Sequence, residues 1–189
     1  MDTFAPKFTG PRVARAKRKS RWGQGAVEFG LTLPLALLLI CACFDYAFYW
    51  TTRIDNHQAA RDAARFASVY ATAWSNANPP AANTIEYAAY KDVVVPSNLV
   101  NDDTHVTIAY WDTTKVPYAL CGQYSAASNA FVAQTGYDQA NCVQVGNEII
   151  VTLNTSYTPL TPLARNLFGT TPPVGGFPIT SAAGIIQEK

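Results

Sequence analysis

The feature that most constrains this chain is the run from Phe29 to Trp50, FGLTLPLALLLICACFDYAFYW, 22 residues carrying one charge, Asp45. A helix of that length rises about 33 Å, enough to cross the roughly 30 Å hydrocarbon core of a bilayer. Lipid supplies no partners for backbone N–H and C=O groups, so such a segment must be helical. Tyr46, Tyr49 and Trp50 gather at its far end, where amphipathic rings settle at the membrane interface.

Charge sets the expected orientation. Residues 1–22 hold Lys7, Arg12, Arg15, Lys17, Arg18, Lys19 and Arg21 against Asp2, half of the 14 Lys and Arg in the chain. From residue 51 onward seven bases face ten acids, a formal −3. A cationic head, an apolar run and a mildly acidic body place the N-terminus in the cytoplasm and everything after Trp50 outside. The basic head beside a membrane segment suits anionic lipid headgroups rather than nucleic acid. A cleaved secretory signal needs small residues at its cut site, and nothing after Trp50 offers one. Ile40-Cys41-Ala42-Cys43 leaves a lipidated Cys43 open as an alternative to a transmembrane helix. Otherwise Cys41 and Cys43 read as small apolar residues of the helix.

Just before the span stands Gly23-Gln24-Gly25-Ala26-Val27-Glu28-Phe29. A glutamate at the mouth of an apolar helix is costly unless compensated. On the plainest reading it lies among headgroups and complements the helix dipole. The stretch through Gly30-Leu31-Thr32-Leu33-Pro34 also resembles the processing site of pilin-like proteins, and the start of TadE-family proteins in particular. The resemblance implies that a prepilin peptidase cuts between Gly23 and Gln24, leaving Glu28 fifth in the mature chain and Phe29 beside it. The Glu28 carboxylate then pairs with the N-terminal ammonium of a neighbouring subunit, removing two charges from lipid together. Gln24 stands where type IV pilins carry a methylated Phe, so methylation is not implied. Inside the span, Pro34 opens one helix bond, which Thr32 or neighbours are expected to re-satisfy.

Residues 51–75 contain neither Gly nor Pro, predicting that the membrane helix continues. Taken from Gln24 to Trp74 it would be about 77 Å long, ended by Asn76-Ala77-Asn78-Pro79-Pro80. Ala59, Ala60, Ala63, Ala64, Ala67 and Ala71 recur at helical spacing. That face suits close approach of another helix or of the chain's own C-terminal domain; the sequence leaves both open. Asp62 and Arg65 are placed to pair at i,i+3. The Ala/Arg-rich stretch from Gln58 to Ala67 extends the TadE-like resemblance over residues 20–72.

The chain divides into a basic leader (1–23), a long helix (24–75, membrane segment 29–50) and an extracytoplasmic domain (76–189). Within 81–95, AANTIEYAAYKD predicts a short helix leading to Val93-Val94-Val95. After the turn at Asn101-Asp102-Asp103, residues 105–111 alternate as a half-buried strand. A second strand region runs from Cys142 through Leu153 around Gly146-Asn147, and residues 177–187 predict the last strand. Ser156 to Phe177 reads as a Pro- and Gly-rich loop with one helical turn at Leu163–Phe168. The expected class is α+β, a small antiparallel sheet packed on the long helix. In the family a strand, a Thr-Pro-Leu-type loop and a closing strand ending in Glu look similar; Val145–Tyr157, Thr158–Leu163 and Ile179–Glu188 fit that order loosely.

Cys121 and Cys142 are the cysteines outside the span, in a compartment where disulfides persist. They bracket a loop with little core potential, and closing it would stabilise the fold by about 3 kcal/mol in the chain-entropy model. Neither their spacing nor the two histidines, His57 and His105, forms a metal-binding pattern. Ser97, Asp102 and His105 can be named as a triad, but nothing in their order supports one. With no phosphate loop or dinucleotide fingerprint, neither an enzyme nor a cofactor is expected. The expected partners are the bilayer, a prepilin peptidase, other pilin-like subunits and the Tad secretion machinery, with no nucleic acid or small-molecule substrate. The alternatives are an unprocessed, membrane-anchored scaffold or binding protein and an anchored enzyme.

Overall fold

The computed structural model describes residues 22–91, 93, 99–161, 165 and 177–188. Residues 1–21 of the basic leader, Val94-Val95, Ser97 and most of the turn expected at Leu163–Phe168 lie outside them. The chain forms two units, residues 1–39 and 40–189.

In the first unit the described residues belong to helix α1, which runs over Trp22–Val69. Val27, Phe29, Leu31, Leu33, Leu35 and Leu37 are all exposed, as befits a segment whose solvent is lipid. The Thr32 hydroxyl donates to the carbonyls of Glu28 (3.0 Å) and Phe29 (3.3 Å). It therefore serves the turn before the one opened by Pro34, rather than the Gly30 carbonyl.

The second unit holds the rest of α1 and an antiparallel sheet in the order β3-β2-β1-β4-β5. Its strands are β1 (Val106–Asp112), β2 (Ala119–Ser125), β3 (Ala130–Ala133), β4 (Glu148–Tyr157) and β5 (Phe177–Ile186). Two short helices, α2 (Ile85–Lys91) and α3 (Gln139–Cys142), complete it. β1 and β4 bury every second residue, the alternation of a sheet covered on one face. Their inward side chains include Ile108, Tyr110, Ile149, Val151 and Leu153, and they share a core with Ala59, Ala60, Ala63, Ala64 and Ala67 of α1. The alanine face is thus taken up by the chain's own sheet. The alanines contribute little bulk to this core, and the larger side chains of the strands fill it.

The sheet departs from expectation at β2 and β3. β2 from Cys121 onward and all of β3 lie in the segment between Cys121 and Cys142 that the sequence presents as loop. Gly122 lacks a side chain, and the Phe131 ring covers it, so that a Cβ there would overlap the ring. Phe131 continues into a stack with Trp74 and Tyr124 and meets the edge of Tyr110. Aromatic packing, invisible in the local pattern, recruits an otherwise polar hairpin. Cys142 to Val145, expected in strand, instead forms the end of α3 and a turn, with Asn147 Nδ2 donating to the Asn141 and Cys142 carbonyls.

Helix α1 stops at Val69, short of the predicted Trp74. Tertiary bonds claim the following residues. Tyr110 donates its hydroxyl to the Ala71 carbonyl, and Trp74 Nε1 donates to Tyr110 at 2.8 Å. Ser75 N–H donates to buried Glu86 at 3.0 Å. Asn101 Nδ2 donates to the carbonyls of Ser75 (2.6 Å) and Ala77 (2.8 Å). These contacts outweigh a helix propensity worth only tenths of a kcal/mol per residue.

Candidate functional site

Gly23 and Gln24 lie in the first turn of α1. Gly23, Glu28 and Phe29 are exposed, and among the described residues nothing beyond its chain neighbours and the helix's own backbone stands within 4 Å of where a Gly23 Cβ would be. The first turn has no acidic residue, and its leading N–H groups have no partners within the helix. Glycine at positions 23 and 25 weakens it further, by about 1 kcal/mol each relative to alanine.

A second cluster forms where α1 meets the end of β4. The buried stripe of α1 extends below the alanines at the same helical period, through Asn56, Thr52 and Asp45, with half-buried Tyr49 between them. Asn56 Nδ2 donates to Thr155 Oγ1 at 2.5 Å. The Tyr49 ring meets Tyr157 and Phe177 edge to face. Asp45, 8 % exposed, accepts from the backbone N–H of Leu160 (2.9 Å), that of Thr161 (3.3 Å), and the Tyr157 and Thr161 hydroxyls. A carboxylate inside an apolar run is tolerable when donors clothe it in this way. Sequence reasoning singled out Asp45 only as the lone charge of the span. Carrying the alanine period back about four turns, through positions 56, 52, 49 and 45, would have found this face.

The Cys121 and Cys142 sulfurs are bonded, joining β2 to α3, while Cys41 and Cys43 are free thiols. Asp62 and Arg65 form the expected pair at 3.9 Å on an exposed face, an arrangement of little energetic weight. Of the nominal triad, Ser97 lies outside the described residues. Asp102 and His105 do meet, Oδ1 to Nδ1 at 2.7 Å, but three residues apart in the turn before β1, so His105 precedes the strand expected to hold it. Partial burial pushes the Asp102 carboxyl up. Hydrogen bonds from the Thr104 hydroxyl, the His105 ring and both backbone N–H groups outweigh this and bring it down to about 2. That pattern is a side chain closing a turn. Among the described residues no group of three or more His, Cys, Asp or Glu could hold a metal.

Residues 23–65 match the family model described as TadE-like protein. The match takes in the Gly23–Phe29 motif, the apolar run, Asp45, Asn56 and the first alanines of the buried face. The family is a pilus structural and assembly family rather than an enzymatic one, associated with the Tad pilus machinery and the membrane. No curated protein and no solved structure matches the chain.

Proposed function

We propose, for a chain that carries a TadE-like domain over residues 23–65, that it is a minor pilin-like subunit or assembly factor of a Tad pilus, processed by a prepilin peptidase between Gly23 and Gln24. The observation that carries this reading is the division of labour along α1. From Ala59 upward its small-residue face is consumed by the chain's own sheet, so partner subunits are left the apolar surface nearer the N-terminus. Val27, Phe29, Leu31, Leu35 and Leu39 are exposed there. In the bilayer they meet lipid; in an assembly they meet the same residues of neighbouring helices.

The glycine-weakened first turn suits a cut after Gly23, because a protease needs the backbone locally out of the helix. Glu28 then neutralises the new ammonium of an adjacent subunit. The cationic leader remains in the cytoplasm, and the domain from residue 76 lies on the far side of the membrane, with residues 157–161 reaching the outer end of the apolar run.

Intact mass and N-terminal sequencing of protein from membranes of its native host test the proposal, alongside Gly23→Ala. A mature chain beginning at Gln24, blocked in the variant, is the expected result. A chain that keeps residues 1–23 in the wild type would instead make it an unprocessed, membrane-anchored scaffold.

A further inference from the structure

Beside Asp45 the structure contains an apolar cleft of about 330 Å³, walled on one side by Ala42, Tyr46 and Tyr49 of α1 and on the other by Tyr157, Pro159 and Phe177. Both walls belong to the second unit. We propose that this cleft receives an acyl chain of a phospholipid from the leaflet on the domain's side of the membrane, with the lipid phosphate held near Arg53. The proposal rests on membrane anchoring through α1 but not on leader cleavage.

Depth is the first argument. The helix wall of the cleft lies at residues 42–49, at the outer end of the 29–50 apolar run. A cleft at that level opens to lipid rather than to water. The second argument is the chemistry of its rim. Residues 42, 46, 49 and 53 recur at spacings of four and three, which puts them along one face of the helix. Arg53 lies over the Trp50 ring at 5.6 Å, and Trp50 and Tyr46 are exposed, stacked neighbours. An aromatic belt with a guanidinium one turn beyond it is the arrangement that meets the headgroup layer. Arg53 lies about 11 Å along the helix from Tyr46 and 16 Å from Ala42 by the helical rise. That separation sets a phosphate above the upper carbons of its own acyl chain.

The third argument is Asp45. Its carboxylate would repel an acyl chain if bare, but the donors of residues 157–161 face it. The remainder of the cleft is ring and aliphatic carbon.

The test uses the full-length protein in nanodiscs of phosphatidylethanolamine and phosphatidylglycerol (3:1), released into a native mass spectrometer. The expected result is one phospholipid retained per chain, with retention falling at least tenfold in Ala42→Trp, which fills the cleft from a position already exposed. Arg53→Gln, outside the cleft, should reduce the enrichment of phosphatidylglycerol several-fold while leaving the domain folded. Equal retention in wild type and Ala42→Trp overturns the proposal. So does a lipid-free wild-type chain, whether a dimer with a second copy seated in the cleft or a monomer whose own residues cover it. The same spectrum reports whether the chain starts at Gln24, and either start is compatible with bound lipid. A chain that never enters the nanodisc fails the anchoring itself.

Discussion

Asp45 Oδ1 accepts a hydrogen bond from the backbone N–H of Leu160 at 2.9 Å, across 115 residues of chain. The acid that most interrupts the apolar segment is thereby the point at which the end of β4 grips the helix. Two neighbouring donors, the Thr161 N–H and hydroxyl, turn to the same carboxylate. Replacing Asp45 by Ala removes the acceptor that these buried and half-buried donors share, and hydrogen bonds to a charged group are worth about 1.5–3 kcal/mol. Asp45→Ala should therefore destabilise the domain by about 2–3 kcal/mol, and Asp45→Asn, which keeps one acceptor oxygen, by less. Denaturant unfolding in detergent micelles measures this; a loss under about 0.5 kcal/mol would mean the grip is ornamental.

Glu86 gives the fold a pH dependence of unusual sign for a carboxylate. It is 1 % exposed, and burial raises its pKa from 4.5 to about 7 against the pull of its hydrogen bonds to backbone N–H groups and Thr84. The folded state thus holds the proton more tightly than the unfolded chain. Between pH 4.5 and 7 it carries more bound proton, so its stability falls as pH rises. The contribution is complete below about 4.5 and lost through 7, on the order of 3 kcal/mol in all. Glu86→Gln should flatten the profile across that window. Unfolding midpoints at pH 5, 6, 7 and 8 decide it, and matching slopes for wild type and variant would refute the assignment.

The Cys121–Cys142 bond closes a loop with a sequence separation of 21. In the chain-entropy model a loop of this size contributes about 3 kcal/mol. Cys121→Ala/Cys142→Ala should lower the unfolding free energy by that order. In the wild-type protein a thiol reagent under denaturing, non-reducing conditions should label Cys41 and Cys43 alone. Labelling of all four would show that no bond forms.

The alanine face is expected to be intolerant of size. Ala63 is fully buried against the sheet, and extra methylenes in a packed core cost about 1–3 kcal/mol. Ala63→Leu should lower stability by that amount or more, whereas Leu35→Ala, on the exposed apolar part of the helix, should leave the domain's unfolding unchanged. If Ala63→Leu were neutral and instead abolished association with partner subunits, the face would belong to an interface.

Much of the outline was legible in the residues. The span, the helix beyond it, the short helix over Ile85–Lys91, and strands β1, β4 and β5 carry local periodicity strong enough to read unaided. The family resemblance rests on the Gly23–Phe29 motif and the Ala/Arg stretch, both contiguous. The hairpin β2–β3 was not legible because Ala-Leu-Cys-Gly-Gln-Tyr-Ser is not an alternating apolar pattern. Its place in the sheet depends on Phe131 covering Gly122 and stacking on Trp74, contacts that cross the chain. The end of α1 was misplaced for the same reason: Tyr110, Glu86 and Asn101 outbid an alanine-rich helix for the groups between Ala71 and Ala77.

By itself the sequence determined that one helix is apolar enough to span a bilayer, that a half-buried sheet follows, and that Cys121 and Cys142 suit a bond. These are consequences of hydropathy, periodicity and count, each readable within a few turns or a single pair. Only the tertiary structure decided what the alanine face packs against and how Asp45 is satisfied. A stripe of small residues fits a foreign helix and a home sheet equally well. A lone carboxylate acquires its role from donors more than a hundred residues away, whose arrival at the same point is a property of the folded chain.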